Sequence, residues 1–163
     1  MFAAALLSLQ LVLSGNLHFG ATQDALTDQP RFTAGFSDHG GGFTVGCAPE
    51  RTHRLLVLVI FDNFIGVTHA GPFTGGTRID YRFDSAPPLS TRGDAKRTDV
   101  IFEAADTPRF VAALRASTKL YVRVIDHRGL PRDATFTYAD GEGAVTEMLD
   151  RCGLDGSGRA KDR

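Results

Sequence analysis

The chain has no tryptophan, no basic residue before Arg31 and only two cysteines in 163 residues. Each shortage removes a class of explanation. Cys47 and Cys152 stand outside any CxxC pattern and have no histidine spaced with them, so neither a zinc-ligand set nor a dithiol redox motif is present. The apolar runs are short. The longest, residues 1–13, falls below the ~20 residues that a spanning helix needs, so no integral membrane segment is expected in the mature chain. Charge of one sign is also lacking. The net charge is −1 with both signs interspersed, which gives no basic footprint for nucleic acid or for an anionic membrane surface. With 42% hydrophobic and 23% charged residues, the composition lies outside that of a disordered chain.

What the chain does contain is glycine and phenylalanine, eighteen and twelve residues respectively. That pairing suits a turn-rich sheet protein with aromatic core positions. The organising stretch is 54–62, RLLVLVIFD, in which seven consecutive apolar residues lie between charged ones. Its length and its Val and Ile content fit a strand buried on both faces, with a short buried helix as the alternative.

Residues 1–13, MFAAALLSLQLVL, read as the apolar core of a secretory signal. Val12 and Ser14 are the small residues before a cut after Ser14, although the basic amino-terminal region is missing. The alternative is an apolar amino-terminal helix packed on the domain. An even cysteine count behind a leader predicts one disulfide, Cys47–Cys152, in an oxidising compartment; two separate buried thiols are the other possibility. Periplasmic or secreted localisation follows from the first choice in each case.

Alternation predicts the remaining strands. Residues 16–21, 31–37 and 43–47 form the first group, with DHGGG (38–42) as a tight connection. Residues 77–84, TRIDYRFD, give the cleanest period of two. Ile79, Tyr81 and Phe83 share one face, and Arg78, Asp80, Arg82 and Asp84 share the other. Pro87 and Pro88 end that strand, residues 90–98 read as polar and exposed, and 99–103 as a further short strand. Asp106-Thr107-Pro108 starts a helix that runs to about Ser117. Strands at 119–126 and 133–138 follow. A last helix over about 141–152 turns Val145, Met148, Leu149 and Cys152 inward, with Gly153 at its end. Residues 154–163 read as a disordered tail. The expected fold is therefore α+β: a single β-rich domain over residues 15–153, of mainly antiparallel strands, with two short helices, the last one carboxy-terminal.

Chemistry is sparse. The five histidines, 18, 39, 53, 69 and 127, fall in separate segments without HxH or HExxH spacing. No GxSxG elbow occurs, and the glycine run at 40–42 is followed by no GK[ST]. The reading is a non-enzyme with no catalytic residue, metal or cofactor. Arg78, Asp80, Arg82 and Arg123 form the candidate interaction surface, weighed against a solvated face of cross-strand ion pairs.

Several segments, in order, resemble the VasI-like periplasmic accessory proteins of type VI secretion. They are DALTD at 24–28, FTVGC at 43–47 with RLLVLVIFD after it, IDYRFDSAPP at 79–88, PRFVAALRASTKLYVRVIDHRG at 108–129, and ATFTYADGEGAVTEMLDRC at 134–152. The resemblance implies a periplasmic, non-catalytic accessory protein that meets a protein or cell-envelope partner, and it supplies no catalytic residue. The alternatives are a secreted envelope-acting hydrolase and a small inhibitor or immunity-type protein.

Overall fold

Inward alternation sets the strands, and two breaks in it, at 106–108 and 140–143, start the helices. The computed structural model describes residues 10–38, 40–47, 54–69 and 75–162. Along the chain the elements are β1 (Gln10–Asn16), β2 (His18–Gln23), β3 (Pro30–Asp38), β4 (Gly41–Cys47), β5 (Leu55–Ile60), β6 (Gly66–Thr68), β7 (Thr77–Phe83), β8 (Leu89–Arg97) and β9 (Asp99–Glu103). They continue as α1 (Thr107–Ala116), β10 (Lys119–Ile125), β11 (Pro131–Ala139) and α2 (Ala144–Arg151).

The strands make one sheet in the order β1-β11-β10-β7-β8-β9-β5-β4-β3-β2, with β6 beside β8. It folds over on itself at β8. Residues 89–93 of β8 pair with β7, while Asp94, Ala95 and Lys96 pair with β9. A Cβ at Gly93, on the boundary, would stand 2.2 Å from the Ile101 carbonyl oxygen, so only glycine lets the strand pass there. The two halves then face each other. Phe43 of β4 lies 5.3 Å from Phe136 and 5.4 Å from Tyr138 of β11, ring centre to ring centre, and Tyr81 of β7 lies 5.1 Å from Phe102 of β9.

Both helices pack on the inner faces. Asp106 caps α1 by accepting from the Arg109 N–H at 3.0 Å, and Pro108 sits in the first turn. Phe110 meets Phe83 at 5.2 Å. The buried Tyr138 hydroxyl donates to the Leu114 carbonyl at 2.9 Å, near the helix end where carbonyls lack intrahelical partners. Burial, with a lesser contribution from Asp84, raises the Tyr138 phenol well above its ordinary pKa, so it remains a donor. α2 buries Val145, Met148 and Leu149 and is fastened to β4 by the Cys47–Cys152 disulfide, with Cα atoms 6.0 Å apart.

The expected β-rich α+β architecture with two short helices is present, but the sheet is mixed. β1 runs parallel to β11, whereas the other described pairs are antiparallel. Residues 1–9 of the expected leader lie outside the described residues, and its last part, 10–14, forms most of β1. The stretch expected to be polar and exposed, 90–98, is largely β8; its inward positions are Gly93 and Ala95, too small to mark a hydrophobic period. β5 buries Leu55, Val57 and Val59 completely, but Leu56, Leu58 and Ile60 are only half-buried, because neither helix covers that outer face.

Residues 154–162 are not the expected loose tail. Leu154 is buried, the Asp155 carboxylate accepts from the N–H groups of Ser157 and Arg159 at 2.8 and 3.0 Å, and Arg115 donates to the Gly156 carbonyl at 2.6 Å. A single apolar anchor and an Asx-type turn hold the segment without any periodic pattern.

The hairpin between β10 and β11 is held by a buried carboxylate. Asp126 accepts from the N–H groups of Arg128 (2.8 Å) and Leu130 (3.0 Å) and from Arg132 Nε (2.8 Å). Burial pushes its pKa up, but the Leu130 N–H, Arg132 and the Arg128 N–H outweigh that and leave it below the usual carboxylate value. Its stabilising contribution is therefore complete above the unfolded value of ~3.9 and fades as pH falls through the lower folded value. Asp126→Ala leaves Arg132 without its buried partner and is expected to cost ~3–5 kcal/mol, read from denaturant melts at neutral pH. A loss below ~1 kcal/mol would show that the hairpin does not depend on this carboxylate.

The disulfide yields a second expectation. It closes a loop of 105 residues, for which chain entropy gives about 4.7 kcal/mol. On reduction α2, only eight residues long, should lose hydrogen-exchange protection before the strands do. Unchanged protection in α2 after verified reduction would remove the clamp's structural role.

Candidate functional site

The antiparallel registers of β7, β8, β10 and β11 bring the four expected surface residues onto one outer face. Arg123 stands opposite Asp80 on β7 and Asp133 on β11, while Asp80 stands opposite Ser90 on β8. One row further along, Tyr121 stands between Arg82 and Thr135. On the other side of the charged row, Arg78 faces Arg92. The face carries an open groove of about 540 Å³ lined by Gln10, Arg78, Asp80, Arg82, Tyr121, Arg123 and Asp133, among others.

The charges are unequally satisfied. Arg123 makes a two-pronged pair with Asp133, Nε to Oδ1 at 2.6 Å and Nη2 to Oδ2 at 2.7 Å. That hydrogen bond holds the guanidinium more firmly protonated than usual. Asp80 accepts from the Ser90 hydroxyl at 2.5 Å and from Arg78 Nε at 3.1 Å. The Ser90 bond first, and Arg78 after it, keep the carboxyl below the usual carboxylate range against an opposing effect of burial. Arg92 turns to the carbonyls of Gly75 and Gly76, at 2.8 and 3.2 Å. Arg82 pairs with no carboxylate among the described residues; its guanidinium lies over the Tyr121 ring, 4.8 Å from the centroid.

A cross-strand ion pair thus exists at Arg123–Asp133, while Arg78 and Asp80 pair along β7 and Asp80 is tied across to β8 by the Ser90 hydrogen bond. Asp133, Tyr121 and Ser90 complete the cluster and were absent from the sequence expectation. Asp133 and Tyr121 could have been found by continuing the outward alternation of Arg123 along β10 and across to β11. Asp84, expected on the same solvated face, instead accepts from the N–H groups of Thr118 and Lys119 at 3.2 and 2.9 Å and ties the end of β7 to the start of β10.

Chemically, this face can hold an anion or a hydrogen-bonding chain. A second cavity of about 220 Å³ lies between α1 and the β7–β8 hairpin, lined by Phe83, Leu89, Phe110 and Ala113, and it meets the groove at Arg82 and Ser90. No histidine lines either cavity. His18 contacts Glu142 at 3.3 Å on the exposed surface, and the His127 ring packs against Phe64. His39 and His53 lie outside the described residues. No group of three or more His, Cys, Asp or Glu side chains among the described residues is placed to hold a metal ion, and no helix among them is long and apolar enough to cross a membrane.

No family model, curated protein or solved structure matches this chain.

Arg82 is exposed and bears on the fold only through Tyr121. Arg82→Ala should shift stability by no more than ~0–1 kcal/mol in thermal or urea melts. A loss of several kcal/mol would mean that the stack on Tyr121 is structural rather than available to a ligand.

Proposed function

We propose that this chain is an extracytoplasmic, non-catalytic accessory protein that binds a protein partner through the outer face of β7, β8, β10 and β11. The reading keeps the expected likeness to the VasI-like accessory proteins of type VI secretion. It draws on the disulfide, a bond of oxidising compartments, and on the groove. The observation that carries it is Arg82, an exposed guanidinium oriented by an aromatic ring and unneutralised by any described carboxylate. Around it, Arg78 and Arg92 stand directly opposite each other, an arrangement of like charges that costs stability in a sheet. Six cations, Arg78, Arg82, Arg92, Lys96, Lys119 and Arg123, occupy outward positions of these strands against Asp80, Asp94 and Asp133. An acidic, extended segment of the partner complements that surplus and would meet Arg82 through a carboxylate.

A hydrolase would be favoured by a histidine beside a carboxylate or serine in a concave site, and the linings of the two cavities do not include one. The test uses a fluorescent glutamate-rich peptide with the intact, oxidised protein. Binding should fall steeply as salt is raised. Arg82→Glu should weaken it at least tenfold while leaving the melt unchanged. Binding that ignores both salt and the Arg82 reversal would overturn the reading, as would no binding at low salt. Retention of the protein on isolated cell-wall sacculi with no affinity for the peptide would move the partner from protein to envelope polymer.

A further inference from the structure

β1 differs from every other strand. It lies at one end of the strand order, its partner is β11 alone, and that pairing is parallel. Its side chains alternate cleanly. Gln10, Val12, Ser14 and Asn16 point outward, while Leu11, Leu13 and Gly15 point between the layers. Leu11 and Leu13 pack against the core, at the start of β4. A Cβ on Gly41 would stand 2.8 Å from a terminal methyl of each, so the seat for two leucines exists because Gly41 has no side chain. Gly15 lies against the Phe36 ring. The strand thus closes one side of the sandwich by laying an apolar-x-apolar-x-small segment into a fitted slot.

The same residues read as the end of a secretory signal, with a cut after Ser14. Processing there would remove Gln10–Ser14 and leave two residues of β1. The backbone groups of β11 that face β1 opposite this stretch, those of Asp133, Thr135 and Thr137, would lose their partners. The seat of Leu11 and Leu13 would open beside them. A free strand edge next to an apolar seat is the arrangement that accepts an added strand. Main-chain hydrogen bonds supply affinity there, and alternate side chains supply selection.

We propose that the exported, processed form carries a strand-acceptor slot along β11, filled by an extended segment of a partner protein. That segment runs parallel to β11 and presents large apolar residues at two alternate positions, those of Leu11 and Leu13. The part of β1 that processing removes, QLVLS, shows what fits. The inference rests on the export part of the proposed function and not on the arginine-rich groove.

The experiment takes the protein from the periplasm of a cell expressing the full chain and determines its amino terminus. It then measures binding of a synthetic QLVLS peptide, the stretch that a cut after Ser14 removes, and of the same peptide with both leucines replaced by aspartate. A start between Gly15 and Gln23 is expected. The native peptide should bind, slow amide exchange at Thr135 and Thr137, whose N–H groups face the slot, and raise the melting temperature. The aspartate peptide should bind at least about a hundredfold more weakly, as expected for losing two seated leucines. A start at or before Leu11 leaves the seat filled, and any start before Gly15 overturns the proposal together with the cleavage. A start after Ser14 with no peptide binding, or with equal binding of both peptides, overturns the slot while leaving export intact. A cooperative melt of the processed protein without peptide establishes that it is folded, so that absence of binding reads the slot and not the fold.

Discussion

Everything in this protein depends on the contact of Phe43 with Phe136 and Tyr138. The rings come from strands at opposite ends of the sheet order, and the Phe43 ring centre lies 5.3 Å from that of Phe136 and 5.4 Å from that of Tyr138. A sheet of this width left flat would expose its inner face to water along its whole length. Folding over at β8 lets that face bury itself, and the aromatic contact holds the two layers at packing distance. The groove, the helix positions and the slot occupied by β1 are all consequences. The outer faces are left to solvent, the helices pack on the inner ones, and the margin between β11 and the β3–β4 hairpin is left for β1.

Much of this was legible where side chains alternate strongly. Thr77–Phe83 shows its inward Ile79, Tyr81 and Phe83 without ambiguity, and the outward Arg78, Asp80 and Arg82 came together as expected because register follows from that alternation. β8 was not legible. Its buried positions are glycine and alanine, which carry no hydrophobic signal, and its outward positions are charged. β1 was hidden by the opposite problem. Val12, exposed at 63%, separates two inward leucines, so the stretch reads as a continuous apolar run instead of an alternation. The ordered segment after α2 rests on Leu154 and the Asp155 turn, and a single buried residue makes no period.

The DALTD stretch illustrates how a short motif can have a purely local cause. The Asp24 carboxylate accepts from the N–H groups of Leu26 and Thr27 at 3.0 and 3.1 Å and from Arg31 at 2.6 Å. It builds the turn between β2 and β3, for which an acidic residue followed by small and hydroxyl residues is a natural solution. The likeness of that segment to a family motif is therefore weak testimony about function. The groove, whose residues are drawn from five strands, depends on the whole topology.

The disulfide also decides how the molecule would carry a mechanical load. Cys47 lies at the end of β4 and Cys152 immediately after α2, so the bond joins the first four strands to the last few residues. Tension applied at the two chain ends passes through the sulfurs and bypasses everything between them. Strands β5 to β11 and both helices sit inside the closed loop, sheltered from pulling. Only β1, β2, β3, β4 and the terminal turn lie on the path of the force, so an oxidised molecule stretched between two anchors would yield at its amino-terminal strands and keep the arginine-bearing face assembled.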